Sequence, residues 1–280
     1  MPVFLKTFFI LFAIALLLFL FVLYMVAPRK KRDYSKFRGR MYAHRGLHGD
    51  GIPENSLAAF KAANEANLGV ELDVQFTKDK QVVVLHFGDL NYMCGVDKKV
   101  LDLTFEELKQ YRLKGTDERI PLLSEVLKTL GGVPVICEIK PYSGYSCPEL
   151  CLETCVIMDT YPGDWCMESF SPFIVRWFRK NRPDIIRGQL SSAMRIDNGH
   201  ARFKRFCMRH LLINVLSRPD FIAYKFTDLT PLGFRQCRAV YKPFLAAWTA
   251  RGEKQFAQAQ KDFDTIIFEK HAKRDLIGDE

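Results

Sequence analysis

Past residue 40 the chain alternates between short apolar runs and stretches with an apolar residue every three or four positions. The runs predict strands over 41–44, 70–76, 133–139, 165–170, 185–190, 221–226, 244–249 and 265–268. The intervening stretches, such as "SLAAFKAANEA", "PLLSEVLKTL" and "SPFIVRWFRKN", predict helices. Strands that alternate with helices predict a parallel sheet covered by those helices, and eight of them in about 240 residues fit a (β/α)8 barrel of the TIM type. A doubly wound open sheet is the alternative, but the phosphate-binding pattern G-x-G-x-x-G does not follow the first strand.

One run breaks the alternation. In "VELDVQFTKDKQVVVLHF" a second apolar run follows the strand after only a short polar turn, which reads as a hairpin. A turn at Asp79–Lys80 sets Thr77 opposite Val82 and Asp73 opposite His86. Side-chain alternation then places Glu71, Asp73 and His86 on one face, at the barrel mouth.

The first forty residues are a different material. "FFILFAIALLLFLFVLYMV" runs nineteen residues without a charge. At about 1.5 Å per residue that just crosses a bilayer core of roughly 30 Å. A signal peptide would have a shorter apolar region and a small-residue cleavage site. Here "APRKKR" follows. The expected organisation is a transmembrane anchor over 1–28, a basic juxtamembrane linker over 29–40 and a barrel over 41–280. Within the linker Arg29, Lys30, Lys31, Arg32, Lys36, Arg38 and Arg40 stand against Asp33 alone. Basic flanks stay on the cytoplasmic side and attract anionic headgroups. A single-pass protein of the cell membrane with its barrel on the cytoplasmic side is therefore expected. Because much of the net charge of +9 sits in this cluster, it does not argue for a nucleic-acid partner. Eight cysteines in a cytoplasmic domain are expected to stay thiols, and the spacing of Cys147, Cys151 and Cys155 reads as a buried helix face.

Ionisable residues gather at the strand ends: His44 and Arg45, Glu71 and Asp73, His86, then Glu138 and Lys140 in "CEIK". Carboxylates pointing into a barrel must be paired or bind a cation. Three of them imply a hard divalent cation, Mg²⁺ or Ca²⁺, with oxygen ligands. Two histidines supply an acid and a base near neutral pH. Arg45 and Lys140 suit a phosphate. Glu54 is close enough in sequence to pair with Arg45 or to join the outer shell of the metal. Together these residues point to phosphodiester chemistry.

The chain resembles the glycerophosphodiester phosphodiesterases, relatives of phosphatidylinositol-specific phospholipases C. The resemblance rests on "HRG" at 44–46, "PENS" at 53–56, "AAF" at 58–60, "ELDVQFTKD" at 71–79, "VVLH" at 83–86, "CGVDKKV" at 94–100, "PLLSEVL" at 121–127 and "EIK" at 138–140. It is dense over about 41–141 and thins afterwards to "ESF" and to "WT" at Trp248. The resemblance implies a TIM barrel with a small insertion over its mouth, about 77–119. It implies a metal held by Glu71, Asp73 and Glu138, His44 and His86 as the acid–base pair, and Arg45 and Lys140 on the phosphate. Trp248 would line the pocket. The chain departs from the family where Phe87 and Tyr92 replace the usual Asp and Arg, leaving Asp89 to steer His86. The last strand ends "IIFEKHA" where the family commonly has Asp.

The expected reaction is hydrolysis of a glycerophosphodiester to glycerol 3-phosphate and an alcohol. A lipid phosphodiesterase acting on lysophospholipids is the alternative, favoured by the anchor and by "ARFKRFCMRHLLINVL". There Phe203, Phe206, Cys207, His210 and Leu211 would form one stripe of a surface-seeking or ordinary barrel helix. A weakly catalytic membrane scaffold is a third reading.

Overall fold

The computed structural model describes residues 2–29, 32–142, 147–193 and 202–269. Eight parallel strands form a closed barrel: β1 (Met41–His44), β2 (Gly69–Phe76), β4 (Val135–Ile139), β5 (Trp165–Ser169), β6 (Arg187–Ser191), β7 (Phe221–Lys225), β8 (Phe244–Ala250) and β9 (Thr265–Phe268). Closure comes from β1, which pairs with both β2 and β9. The ninth strand, β3 (Val82–Val84), lies antiparallel on the outer end of β2. Helices such as Leu57–Glu65, Leu123–Leu130 and Pro172–Asn181 cover the outside. The expected strands were legible because both faces of a parallel barrel strand are buried, so each reads as a continuous apolar run.

Three packed regions result. The outward residues of the strands pack under the helices. Inside the barrel, Tyr42, Ile136, Cys166, Leu190, Phe221 and Phe244 belong to a second cluster. A third cluster, including Leu85, Leu90, Met93, Val100 and Leu113, belongs to the insertion after β3. Cys147, Cys151 and Cys155 are all buried thiols, as their spacing predicts. The stripe expected around the helix Arg202–Arg209 is split: Leu211 is buried and Cys207 and His210 are half-buried, whereas Phe203 and Phe206 face outward.

The stretch read as a linker is packed against the base of the barrel, where the strands begin (Lys30 and Lys31 lie outside the described residues). Tyr34 and Phe37 are buried in the interior cluster. The Tyr34 ring stacks on Phe244 at 4.5 Å, and its hydroxyl donates to the Asp220 carbonyl at 2.5 Å. Lys36 pairs with Asp164 at 2.6 Å, and Arg38 pairs with Asp264. Burying two aromatic side chains stabilises by roughly 1.5–3 kcal/mol each. A chain shortened to begin at residue 41 should therefore unfold at clearly lower urea than one beginning at residue 29. Equal midpoints would show that residues 29–40 contribute nothing to stability.

The N-terminal helix Val3–Val26 is, among the described residues, one helix long and apolar enough to cross a membrane. Among the described residues, only its last turns touch the barrel. Tyr241 Oη donates to the Leu23 carbonyl at 3.0 Å and Asn214 Nδ2 to the Val26 carbonyl at 2.8 Å. Arg218 donates to the carbonyls of Tyr24 and Ala27 at 2.8 and 2.9 Å. Residues 3–21 stand exposed.

Candidate active site

At the opposite end, where the strands finish, the interior turns polar. His44 ends β1, and the chain then reverses through Arg45 in a left-handed conformation, φ 56°. This turn directs the Arg45 N–H to Glu71 Oε2 at 3.2 Å. Gly46 follows at φ 77°, and a Cβ there would lie 2.9 Å from Ala59, so the loop can close on the helix Leu57–Glu65 only with glycine. Ser56 caps that helix by accepting from the Ala59 N–H.

Asp73 is the hub. Its carboxylate accepts from Lys140 Nζ at 2.9 Å and Asn55 Nδ2 at 2.9 Å, meets His86 Nδ1 at 3.0 Å, and lies 3.4 Å from Arg45 Nε. Burial alone would raise its pKa. The Lys140 ammonium, the His86 hydrogen bond and Arg45 outweigh burial and hold Asp73 well below the usual range. Parallel pairing sets Asp73 beside Glu138, and Glu138 beside Glu168. Lys140 also bridges to Glu138 at 2.8 Å. Burial, followed by repulsion from neighbouring carboxylates, pushes Glu71 and Glu168 upward. Burial likewise raises Glu138, against the pull of Lys140.

The register expected for the hairpin is corrected by one residue. Phe76 pairs with Val82 and Val74 with Val84, which sets Leu85, not His86, across from Asp73, and the Leu85 N–H donates to the Asp73 carbonyl at 3.0 Å. Lys80 at φ 58° lengthens the turn to three residues between Thr77 and Gln81. His86 still reaches Asp73 because β3 ends at Val84, so the side-chain alternation no longer holds at residue 86.

His44 sits between two acids. Its Nδ1 lies 3.3 Å from Glu269 Oε1 and its Nε2 3.9 Å from Glu71 Oε2. Burial pushes its pKa down to about 4 in spite of Glu269, which favours the neutral imidazole at neutral pH, with Nδ1 facing the Glu269 carboxylate. Arg251 fixes that carboxylate at 2.6 and 2.7 Å. Arg45 pairs with Glu54 at 2.7 Å. Trp248 packs edge-on against Phe170 at 5.7 Å, with no partner for its buried Nε1 among the described residues. Asp89 does not meet His86; it caps the Asn91 N–H at 3.0 Å. Phe87 stands edge-on to His86 at 4.8 Å, with Tyr92 against Phe87.

Four residues carried no part in the site as read from sequence: Glu168, Glu269, Asn55, which was expected only as a candidate helix cap, and His48. "ESF", "IIFEKHA" and "PENS" held three of them in plain view, and His48 stands four residues after His44. Their convergence appears only when the strands close. Donor atoms of Asp73, His86 and Glu138 lie within 4.8 Å of one another, as do those of His44, His48 and Glu269. Among the described residues, four buried carboxylates (Glu71, Asp73, Glu138 and Glu168) share two permanent cations, Arg45 and Lys140, with His44 and His86 beside them, and Glu168 Oε2 has no hydrogen-bond partner. An acidic excess buried in a barrel fits a divalent cation.

A family model, the glycerophosphoryl diester phosphodiesterase family, matches residues 44–198, more than half of the chain. The chain belongs to that family. The matched span of this phosphodiesterase-family chain holds His44 through Glu168 and stops before Trp248 and Glu269. A glycerophosphodiester phosphodiesterase of Caldanaerobacter subterraneus is 30% identical over 186 residues, 62% of this chain and 76% of that protein. A lysophospholipase D of Rattus norvegicus is 38% identical over 123 residues, 39% of either chain, so the chain spans about two fifths of that relative. The fold is shared with an Oleispira antarctica phosphodiesterase solved with the product sn-glycerol-3-phosphate. That structure has a TM-score of 0.70 at 21% identity, over 86% of this chain and 96% of the other.

Proposed function

We propose that this protein is a membrane-anchored, metal-dependent phosphodiesterase that hydrolyses glycerophosphodiesters to glycerol 3-phosphate and an alcohol. The observation that carries the reading is the Asp73 hub, which ties a histidine, an arginine and a lysine to one buried carboxylate. Asp73 and Glu138, with Glu71 and Glu168 beside them, are the residues that would hold Mg²⁺ or Ca²⁺. Such a cation supplies Lewis-acid polarisation of the phosphoryl oxygens. Arg45 and Lys140 position and neutralise the phosphate. His44, held neutral and oriented by Glu269, takes the proton of the attacking hydroxyl or water. His86, oriented by Asp73, gives a proton to the leaving oxygen. The N-terminal helix anchors the barrel on the cytoplasmic face.

Saturating EDTA should abolish hydrolysis of glycerophosphocholine. Glu168→Gln should weaken Mg²⁺ or Ca²⁺ affinity about 10- to 100-fold by calorimetric titration, as removal of an outer-shell carboxylate does. Undiminished turnover in EDTA would reject the metal assignment, and unchanged affinity would remove Glu168 from it.

One observation favours lysophospholipids as an alternative. A largely apolar groove of about 380 Å³ runs beside the mouth, lined by Phe170, Pro172, Phe173, Met208, Ile213 and Leu216, and Phe170 joins it to Trp248. Comparing kcat/KM on glycerophosphocholine and lysophosphatidylcholine separates the two readings. Turnover of neither would leave the scaffold reading.

A further inference from the structure

A cavity of about 650 Å³ opens at the base of the barrel, the end opposite the candidate site. Its walls carry five cationic side chains: Arg32, Arg38, Arg235, Arg238 and Lys242. Asp264 and Asp262 oppose Arg38 and Arg238, and Arg32 reaches the Asp220 carboxylate at 3.4 Å. Arg235 and Lys242 are exposed and form no ion pair among the described residues. The floor is apolar, made by Tyr34, Phe244 and Leu245. A cationic rim over an apolar floor suits an anionic head on an apolar body.

The position of the cavity says which body. The helix Leu232–Tyr241 supplies Arg235 and Arg238 to it, and the same helix seats the N-terminal helix through Cys237 and Tyr241. Leu23 lies against Tyr241, and Val26 lies against Cys237. The two helices are therefore antiparallel, and residues 3–21 project past the base, away from the mouth. With that helix in a bilayer, the base meets the membrane surface, where each basic residue adds about 1 kcal/mol of attraction to anionic lipid.

We infer that the basal cavity binds the phosphate of an anionic phospholipid headgroup and seats the barrel base-down, with its mouth turned away from the bilayer. The inference rests on the reading of the N-terminal helix as a membrane span, which carbonate extraction of membranes tests separately.

The test is calorimetric titration of the full-length chain in maltoside detergent with dioctanoyl phosphatidylglycerol, dioctanoyl phosphatidylcholine and inorganic phosphate. Phosphatidylglycerol should bind about tenfold or more tighter than phosphatidylcholine, and a chain carrying Arg235→Gln with Lys242→Gln should lose about tenfold or more of that affinity. Hydrolysis of soluble glycerophosphodiesters should not change, because neither residue approaches the mouth. Equal binding of the two lipids, or an unaffected double variant, overturns the inference. Inorganic phosphate that binds as tightly as phosphatidylglycerol also overturns it, making the cavity a free-anion site. A chain that resists carbonate extraction yet fails these titrations refutes the cavity alone; a chain released by carbonate refutes the anchor.

Discussion

His44→Ala should lower kcat for glycerophosphodiester hydrolysis about 100- to 10,000-fold, the range that a positioned acid or base contributes. The side chain is mostly buried between Glu71 and Glu269, so alanine removes the proton acceptor and leaves the carboxylates in place. Cation affinity should stay close to that of the unaltered protein. His86→Ala should cause a loss of the same order. His86 Nδ1 also lies within the group formed with Asp73 and Glu138, so its cation titration has a second use. If affinity collapses in His86→Ala, the imidazole is a ligand and not the proton donor. Near-normal turnover in either variant would dismantle the acid–base assignment.

The second large effect concerns the base. Arg187 is fully buried, and its guanidinium meets the equally buried Asp220 carboxylate at 3.3 Å. Arg32 and Arg29 approach the same carboxylate at 3.4 and 4.0 Å, and the Arg187 N–H donates to it at 3.3 Å. Burial pushes the Arg187 guanidinium down to about 10, and Asp220 opposes that shift. Asp220→Ala strands a cation inside the barrel, which should destabilise the protein by about 3–5 kcal/mol. Guanidinium titration followed by circular dichroism measures the loss. Adding Arg187→Met should recover most of it, because an apolar pair of similar volume tolerates burial. A double variant no more stable than Asp220→Ala would show that the carboxylate acts through the backbone of β6 and not through the arginine.

The barrel was legible because its strands are short apolar runs and its helices repeat at every third or fourth residue. His44, Arg45, Glu71, Asp73, Glu138 and Lys140 were legible because charge at the end of an apolar run has no structural excuse. What escaped was non-local. Glu168 and Glu269 come from β5 and the end of β9, and no spacing links them to His44 or Glu138 until the barrel closes. The hairpin slipped by one because Lys80, a residue with no glycine-like preference, takes a left-handed conformation. Residues 29–40 were read by charge alone. Tyr34 and Phe37, three apart among the basic residues, were the signal that this segment faces a core.

The two histidines stand on different bodies. His44 ends a strand of the barrel, while His86 is carried into the insertion, whose apolar residues pack as a cluster of their own. Their separation is therefore a property of assembly, set where two cores meet, as the gap of a caliper is set by its jaws. Leu90 and Met93, buried deep in the insertion, thus belong to the core that carries His86, while His44 belongs to the barrel.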